Sequence, residues 1–258
     1  MGSSTAPRLR TVRALRYVAP LREGGSLPAL VEADDDGLYV VKLRGAGQGP
    51  KALVAEVVAG EIGRALGLAV PDLVLVDVDP ALADAEPDVE IQELVQASGG
   101  LNAGLDFLPG ALPFSPAAPA AVDPELAADV VWFDALVTNV DRAPRNPNLL
   151  VWHGRLWLID HGAALYRHHD PAWPGDAARR PFPAIADHVL LPFAGSIAAA
   201  DERAAARLDA DAVEAAVAAV PDAWLDDPDD REPYVEHLLE RLAPPRGFAR
   251  EAEGARVR

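Results

Sequence analysis

The chain contains no cysteine, which removes disulfides, thiolate metal sites and cysteine nucleophiles together. Lysine is nearly as scarce: of 23 basic residues only Lys42 and Lys51 are lysines. A lysine inside a strand-like segment such as Leu38–Leu43 therefore calls for an explanation, because a buried ammonium is costly unless it meets an anion. Positive charge is short overall, and the formal net charge is -17. That balance argues against a nucleic-acid backbone or an anionic membrane surface as the main partner, since both need a basic face. No apolar run reaches the roughly eighteen residues of a membrane-spanning helix, and Met1–Pro7 lacks the apolar core of a signal peptide. The expected location is cytoplasmic, without membrane insertion. No H-x3-H or H-E-x-x-H spacing joins the histidines, which speaks against zinc, and no G-x-S-x-G marks a serine hydrolase.

Two short polar clusters are present instead, Asp141-Arg-Ala-Pro-Arg-Asn146 and Ile159-Asp160-His-Gly162. Between them, Leu149–Trp152, His153-Gly154 and Arg155–Ile159 read as strand, tight turn, strand. A hairpin brings its two ends together, so Asn146 and Asp160 would face one site, two oxygen donors for a hard cation that keeps its other positions for phosphate and water. A phosphoryl-transfer site uses this order: an Asp for the attacking hydroxyl, an Asn for Mg²⁺ five residues on, and a second Asp beyond a hairpin. Either cluster alone is also what a loop ion pair or a strand-ending turn looks like; both in this order point to Asp141 as catalytic residue and to Asn146 and Asp160 as metal ligands. Asn148 is a rival ligand, with a loop-capping role as its alternative.

Hydrophobic content of 50% and charged content of 24% are those of a globular chain. Residues 1–10 read as a flexible N-terminus and 11–104 as a small β-rich lobe. Within that lobe, Leu38–Leu43 follows an Asp-Gly turn, and Lys51–Gly67 carries helical apolar spacing with Gly67 as stop signal. Glu90–Val95 completes the lobe. Residues 105–122, rich in Gly and Pro, read as the crossing to a second lobe over 123–245, mostly helical and opened by Asp123 as N-cap. Residues 246–258 read as a flexible C-terminus.

Gly24-Gly-Ser-Leu-Pro-Ala-Leu-Val-Glu, the Lys42 strand, the helix ending Arg64-Ala-Leu-Gly-Leu-Ala-Val-Pro71, and Asp141-x4-Asn146 with Asp160 together resemble HipA-family kinases, in particular the short actinobacterial members. The resemblance covers roughly residues 10–245. It implies an α+β, protein-kinase-like fold of two lobes, with a small β-rich N-lobe and a mostly helical C-lobe. It further implies that Gly24, Gly25 and Ser26 lie over the ATP phosphates, that Lys42 pairs with those phosphates, and that Glu56, with Glu61 as alternative, fixes the lysine. Asp106, Phe107 and Leu108, within a hinge, would bind the adenine edge. The implied reaction is Mg²⁺-dependent transfer of the γ-phosphate of ATP to a hydroxyl acceptor, either a protein Ser/Thr or a small molecule. A small-molecule or lipid-alcohol kinase, a nucleotide-binding pseudokinase and an AMP transferase are the alternatives on the same fold. The chain departs from ordinary eukaryotic protein kinases in having Asn139-Val140 before Asp141 and His161 after Asp160.

Overall fold

The computed structural model describes residues 9–21, 27–117 and 122–257, so Gly24, Gly25 and Ser26 lie outside the described residues. Strands β1 (Thr11–Pro20), β2 (Ala29–Ala33), β3 (Leu38–Lys42), β4 (Leu73–Val78) and β5 (Gly100–Asp106) close a barrel in the order β1-β2-β3-β5-β4. Every pairing is antiparallel except β1 with β4. Alternation along the strands sends Ala29, Val31, Tyr39, Val41, Val74 and Val76 into the barrel interior. Lys42, next to Val41, falls on the opposite face.

Helix α1 (Pro50–Ala65) packs on that face, wedged between the barrel and the second lobe. It is buried on nearly every side, from Leu53 to Gly63, which explains an apolar pattern wider than one stripe. Its C-terminus closes as the sequence suggests: Gly67 at φ 82 lets Gly67 N–H bond Arg64 O and Leu68 N–H bond Gly63 O.

Glu90–Val95 forms part of α2 (Val89–Ala97), capped by the Asp88 carboxylate, with Ile91 and Val95 buried one turn apart. One sequence reading of this lobe is corrected. The supposed crossing segment instead starts with β5, whose Leu105 and Asp106 pair with β3 and β4. Low β-propensity in Gly-Leu-Asn-Ala-Gly-Leu hides this strand. Gly104 is required there by close approach: a Cβ would sit 2.6 Å from Val76 Cγ2 and 2.9 Å from Val74 Cγ2. The crossing proper runs from Phe107 and includes β6 (Leu112–Pro113).

The second lobe opens with α3 (Pro124–Leu136), where the Asp123 side chain accepts from Glu125 N–H and Leu126 N–H. The hairpin β7 (Leu149–Trp152) and β8 (Arg155–Leu158) follows, with His153 and Gly154 both at positive φ, the mirror-image turn that matches strand twist. Short helical turns cover 166–193, then α4 (Ile197–Ala205), α5 (Ala210–Ala218), α6 (Arg231–Leu242) and α7 (Gly247–Arg256) complete the lobe. Among the described residues no helix is long and apolar enough to cross a membrane.

Residues 246–258, read from sequence as loose, hold α7, which packs on α3 and α4. Phe248 sets its ring edge-on to Trp132 with centroids 5.3 Å apart, and Glu253 reaches across to accept from Ile197 N–H at 2.7 Å at the start of α4. A Phe248→Ala variant is expected to lose about 3–5 kcal/mol of stability, read by urea unfolding of the full chain; a tail that did not pack would leave the midpoint unchanged.

Candidate active site

Lys42 ends β3 facing α1, and Glu56, one and a half turns into that helix, is fully buried. Lys42 Nζ donates to Glu56 Oε2 at 2.6 Å and also to the Asp160 carboxylate. The three residues come from different parts of the chain, and the ammonium is their meeting point. Burial works against the charge on Lys42, but Glu56 and Asp160 outweigh it and its pKa is pushed up to about 12. Burial likewise works against the Glu56 carboxylate, and the Lys42 charge overrides it, taking the pKa down to about 2. Glu61, the alternative partner, is 3.5 Å from Arg64 instead.

The second half of the site is the loop after α3. Arg142, 2% exposed, donates Nε–H to Asp134 Oδ2 at 2.5 Å and Nη1–H to Asn148 O at 2.5 Å and Ile159 O at 3.3 Å. One guanidinium thus stitches the loop to both ends of the β7–β8 hairpin. Asn148 O also accepts from Ile159 N–H, which extends the hairpin pairing of Leu149 with Leu158 and sets the 146–148 turn beside Asp160. Asn146 Nδ2 donates to Asp141 Oδ2 at 2.8 Å, and Asn148 Nδ2 donates to Asp141 O at 2.9 Å. Asn148 therefore ties down the loop backbone.

Asp134 anchors the arrangement from inside α3. Its Oδ1 accepts from Asn139 Nδ2, and its Oδ2 accepts from Arg142 and from His188 Nε2 at 2.9 Å. Because Leu190 N–H donates to His188 Nδ1, the Nε2–H form of a neutral imidazole satisfies both contacts. Sequence reading missed Asp134 and His188. The signal for Asp134 is a lone charge in the apolar run Val130–Val137; for His188 there is none.

Four non-glycine residues around the site hold left-handed backbone: Thr138 (φ 51), Asn148 (φ 49), Asp160 (φ 56) and Leu165 (φ 52). Such conformations are disfavoured for L-residues and gather where surrounding structure fixes a functional geometry. Lys51, the other lysine, donates Nζ–H to His168 O at 2.6 Å, fastening the first turn of α1 to the segment beyond Gly162.

Of the hinge residues, Asp106 N–H and Phe107 N–H are already spent on Asp72 O and Leu38 O. Among the described residues Leu108 N–H has no such partner, so it is the donor of the three that a ligand edge could use. His168 and His169 bring ring nitrogens to 3.1 Å, yet among the described residues no group of three or more His, Cys, Asp or Glu could hold a metal. The donors suited to a cation at this site are hard oxygens, one carboxylate from Asp160 and one amide oxygen from Asn146. That set fits Mg²⁺, which is held by one or two carboxylates plus phosphate and water rather than by an all-protein cage.

No curated protein matches the chain. Among solved structures, the Helicobacter pylori proinflammatory kinase CtkA is similar, with a TM-score of 0.62 over 97% of this chain and 99% of that chain at 13% identity. At that identity the likeness concerns the fold: a β-barrel lobe followed by a mostly helical one. The family model described as HipA-like kinase matches residues 16–244. The chain belongs to the HipA-like kinase family, a family of phosphotransferases that use ATP.

Proposed function

We propose that the chain is a Mg²⁺-dependent Ser/Thr kinase. The observation that carries this reading is the single Lys42 ammonium shared by Glu56 and Asp160, next to a loop that presents Asp141 and Asn146. Lys42 pairs with the nucleotide phosphates, Glu56 keeps the ammonium in place, and Leu108 N–H serves the adenine edge. Gly24, Gly25 and Ser26 cover the phosphates in this reading. Asn146 and Asp160 hold the magnesium, and a bound magnesium ion offsets charge on the phosphate oxygens. Asp141 orients the acceptor hydroxyl and takes its proton as the new O–P bond forms and the bond from the γ-phosphorus to the β-γ bridging oxygen breaks, with ADP leaving. Little covalent work falls to the protein; positioning and charge stabilisation supply most of the rate.

The acceptor class in this reading, a protein hydroxyl, is what the experiment decides. The test is transfer of labelled γ-phosphate to protein acceptors in a cell extract, with and without a chelator. Label that appears with Mg²⁺, vanishes on chelation and returns on adding the ion supports the reading. Transfer that survives chelation overturns the metal assignment, and label found only in small molecules overturns the acceptor class.

A further inference from the structure

Asp160, His161 and Gly162 all touch the Lys42–Glu56 pair. Asp160 bonds the ammonium. Gly162 borders it: a Cβ there would be in ordinary contact, 3.4 Å from Lys42 Nζ and 3.6 Å from Glu56 Oε2. Between them, His161 is fully buried, with its ring edge against Phe133 at 5.8 Å between centroids. Among the described residues neither of its ring nitrogens has a hydrogen-bond partner, and neither has Glu56 Oε1. Buried polar atoms are nearly always paired, and unpaired ones need a reason. Here two of the three orphans face each other: His161 Nδ1 is 3.4 Å from Glu56 Oε1, a contact that falls just short of a hydrogen bond. A shift of a few tenths of an ångström would satisfy both. An apolar ring would fill the same space at no desolvation cost, so the imidazole is not explained by packing.

We propose that His161 is a positioning residue, whose Nδ1–H closes onto Glu56 Oε1 and so fixes the carboxylate that holds Lys42. The consecutive residues Asp160 and His161 then act as one unit: Asp160 and Glu56 share the ammonium, and His161 orients Glu56. Oε2 is committed to Lys42 and Oε1 to His161, so the carboxylate cannot rotate and the ammonium keeps one direction. The consequence for phosphate rests on the reading of Lys42 as the nucleotide contact; the hydrogen bond itself does not.

Side-chain chemistry supplies a discriminating test. Asn places its amide nitrogen where Nδ1 sits, Gln places its own where Nε2 sits, and Phe keeps the ring without either. Purified full-length His161→Asn, His161→Gln and His161→Phe are compared for fluorescent ATP-analogue affinity, labelled phosphate transfer and thermal midpoint. His161→Phe is expected to lose about tenfold or more in kcat/KM for ATP, the scale of a buried hydrogen bond to a charged group, while its thermal midpoint does not fall. His161→Gln behaves like Phe, and His161→Asn retains most of the activity. Equal activity of Asn and Gln, or full activity in Phe, overturns the proposal. Should the wild type bind nucleotide without transferring phosphate, the kinase reading fails, and the same order read in affinity still decides the role of His161. Independently of nucleotide, proton–nitrogen correlation spectra, assigned through the signal missing in His161→Asn, are expected to show a protonated, exchange-protected Nδ1. A bare Nδ1 on His161 also overturns it.

Discussion

Replacing Asp141 with Asn will lower phosphate transfer about 10²–10⁴-fold, the range a positioned general base contributes, with little change in ATP affinity. The carboxylate is half-buried at the mouth of its loop and accepts from Asn146 through Oδ2; the Asn amide oxygen can take over that bond, so the loop keeps its shape. What is lost is the proton acceptor, and only the transition state feels that loss. Asp160→Ala will differ in kind. It removes one of the two partners of Lys42 and a proposed magnesium ligand together, so both KM for ATP and kcat suffer, while Lys42 keeps its buried bond to Glu56 and the chain still folds. Steady-state kinetics over ATP concentration separates the two patterns. An Asp141→Asn protein with undiminished kcat would remove that residue from the chemistry.

A large effect on stability is also expected from Asp134. It is fully buried and joins Asn139, Arg142 and His188, so Asp134→Ala strands the Arg142 guanidinium inside the protein. Breaking a buried ion pair from one side costs about 3–5 kcal/mol, a large share of the 5–15 kcal/mol or so that holds a typical domain together. The pH dependence follows from the same contact. Burial pushes the Asp134 carboxyl up, but the charge of Arg142 and the bond from His188 outweigh it and hold the pKa at about 2, below the ordinary 3.8. A folded pKa below the unfolded one means that the proton is taken up more readily by the unfolded chain. The stabilisation is therefore complete above pH 3.8 and disappears as pH falls through 2, and the shift corresponds to about 2 kcal/mol. Urea unfolding of wild type and Asp134→Asn between pH 2 and pH 6 should show two curves well apart at pH 6 that converge on acidification. A gap that stays constant with pH would mean that Asp134 contributes no charge to stability.

The tight turn at His153-Gly154, the Asp123 cap, the Gly67 stop and the order Asp141, Asn146, Asp160 were all legible because each rests on interactions within a few residues. The same local rules misread β5. In β5, Gly104 is chosen by the valines of the neighbouring strand and not by its own preference. Helix α7 was hidden for a related reason: its apolar content is low, and what orders it is the Phe248 contact with Trp132 and the Glu253 bond to the start of α4, both made with distant residues.

The residue types of the candidate site, their spacing around one hairpin and the exclusion of cysteine chemistry could be read from the chain alone, because composition and short-range geometry need no partner. Where the charges end up depends on the packed fold. Lys42 meets Glu56 14 residues away and Asp160 118 residues away, Asp134 is buried beneath the loop that it organises, and His161 faces the back of the Glu56 carboxylate. Burial and ion pairing are set by what packs alongside, and chain neighbours within a turn or two carry no record of that.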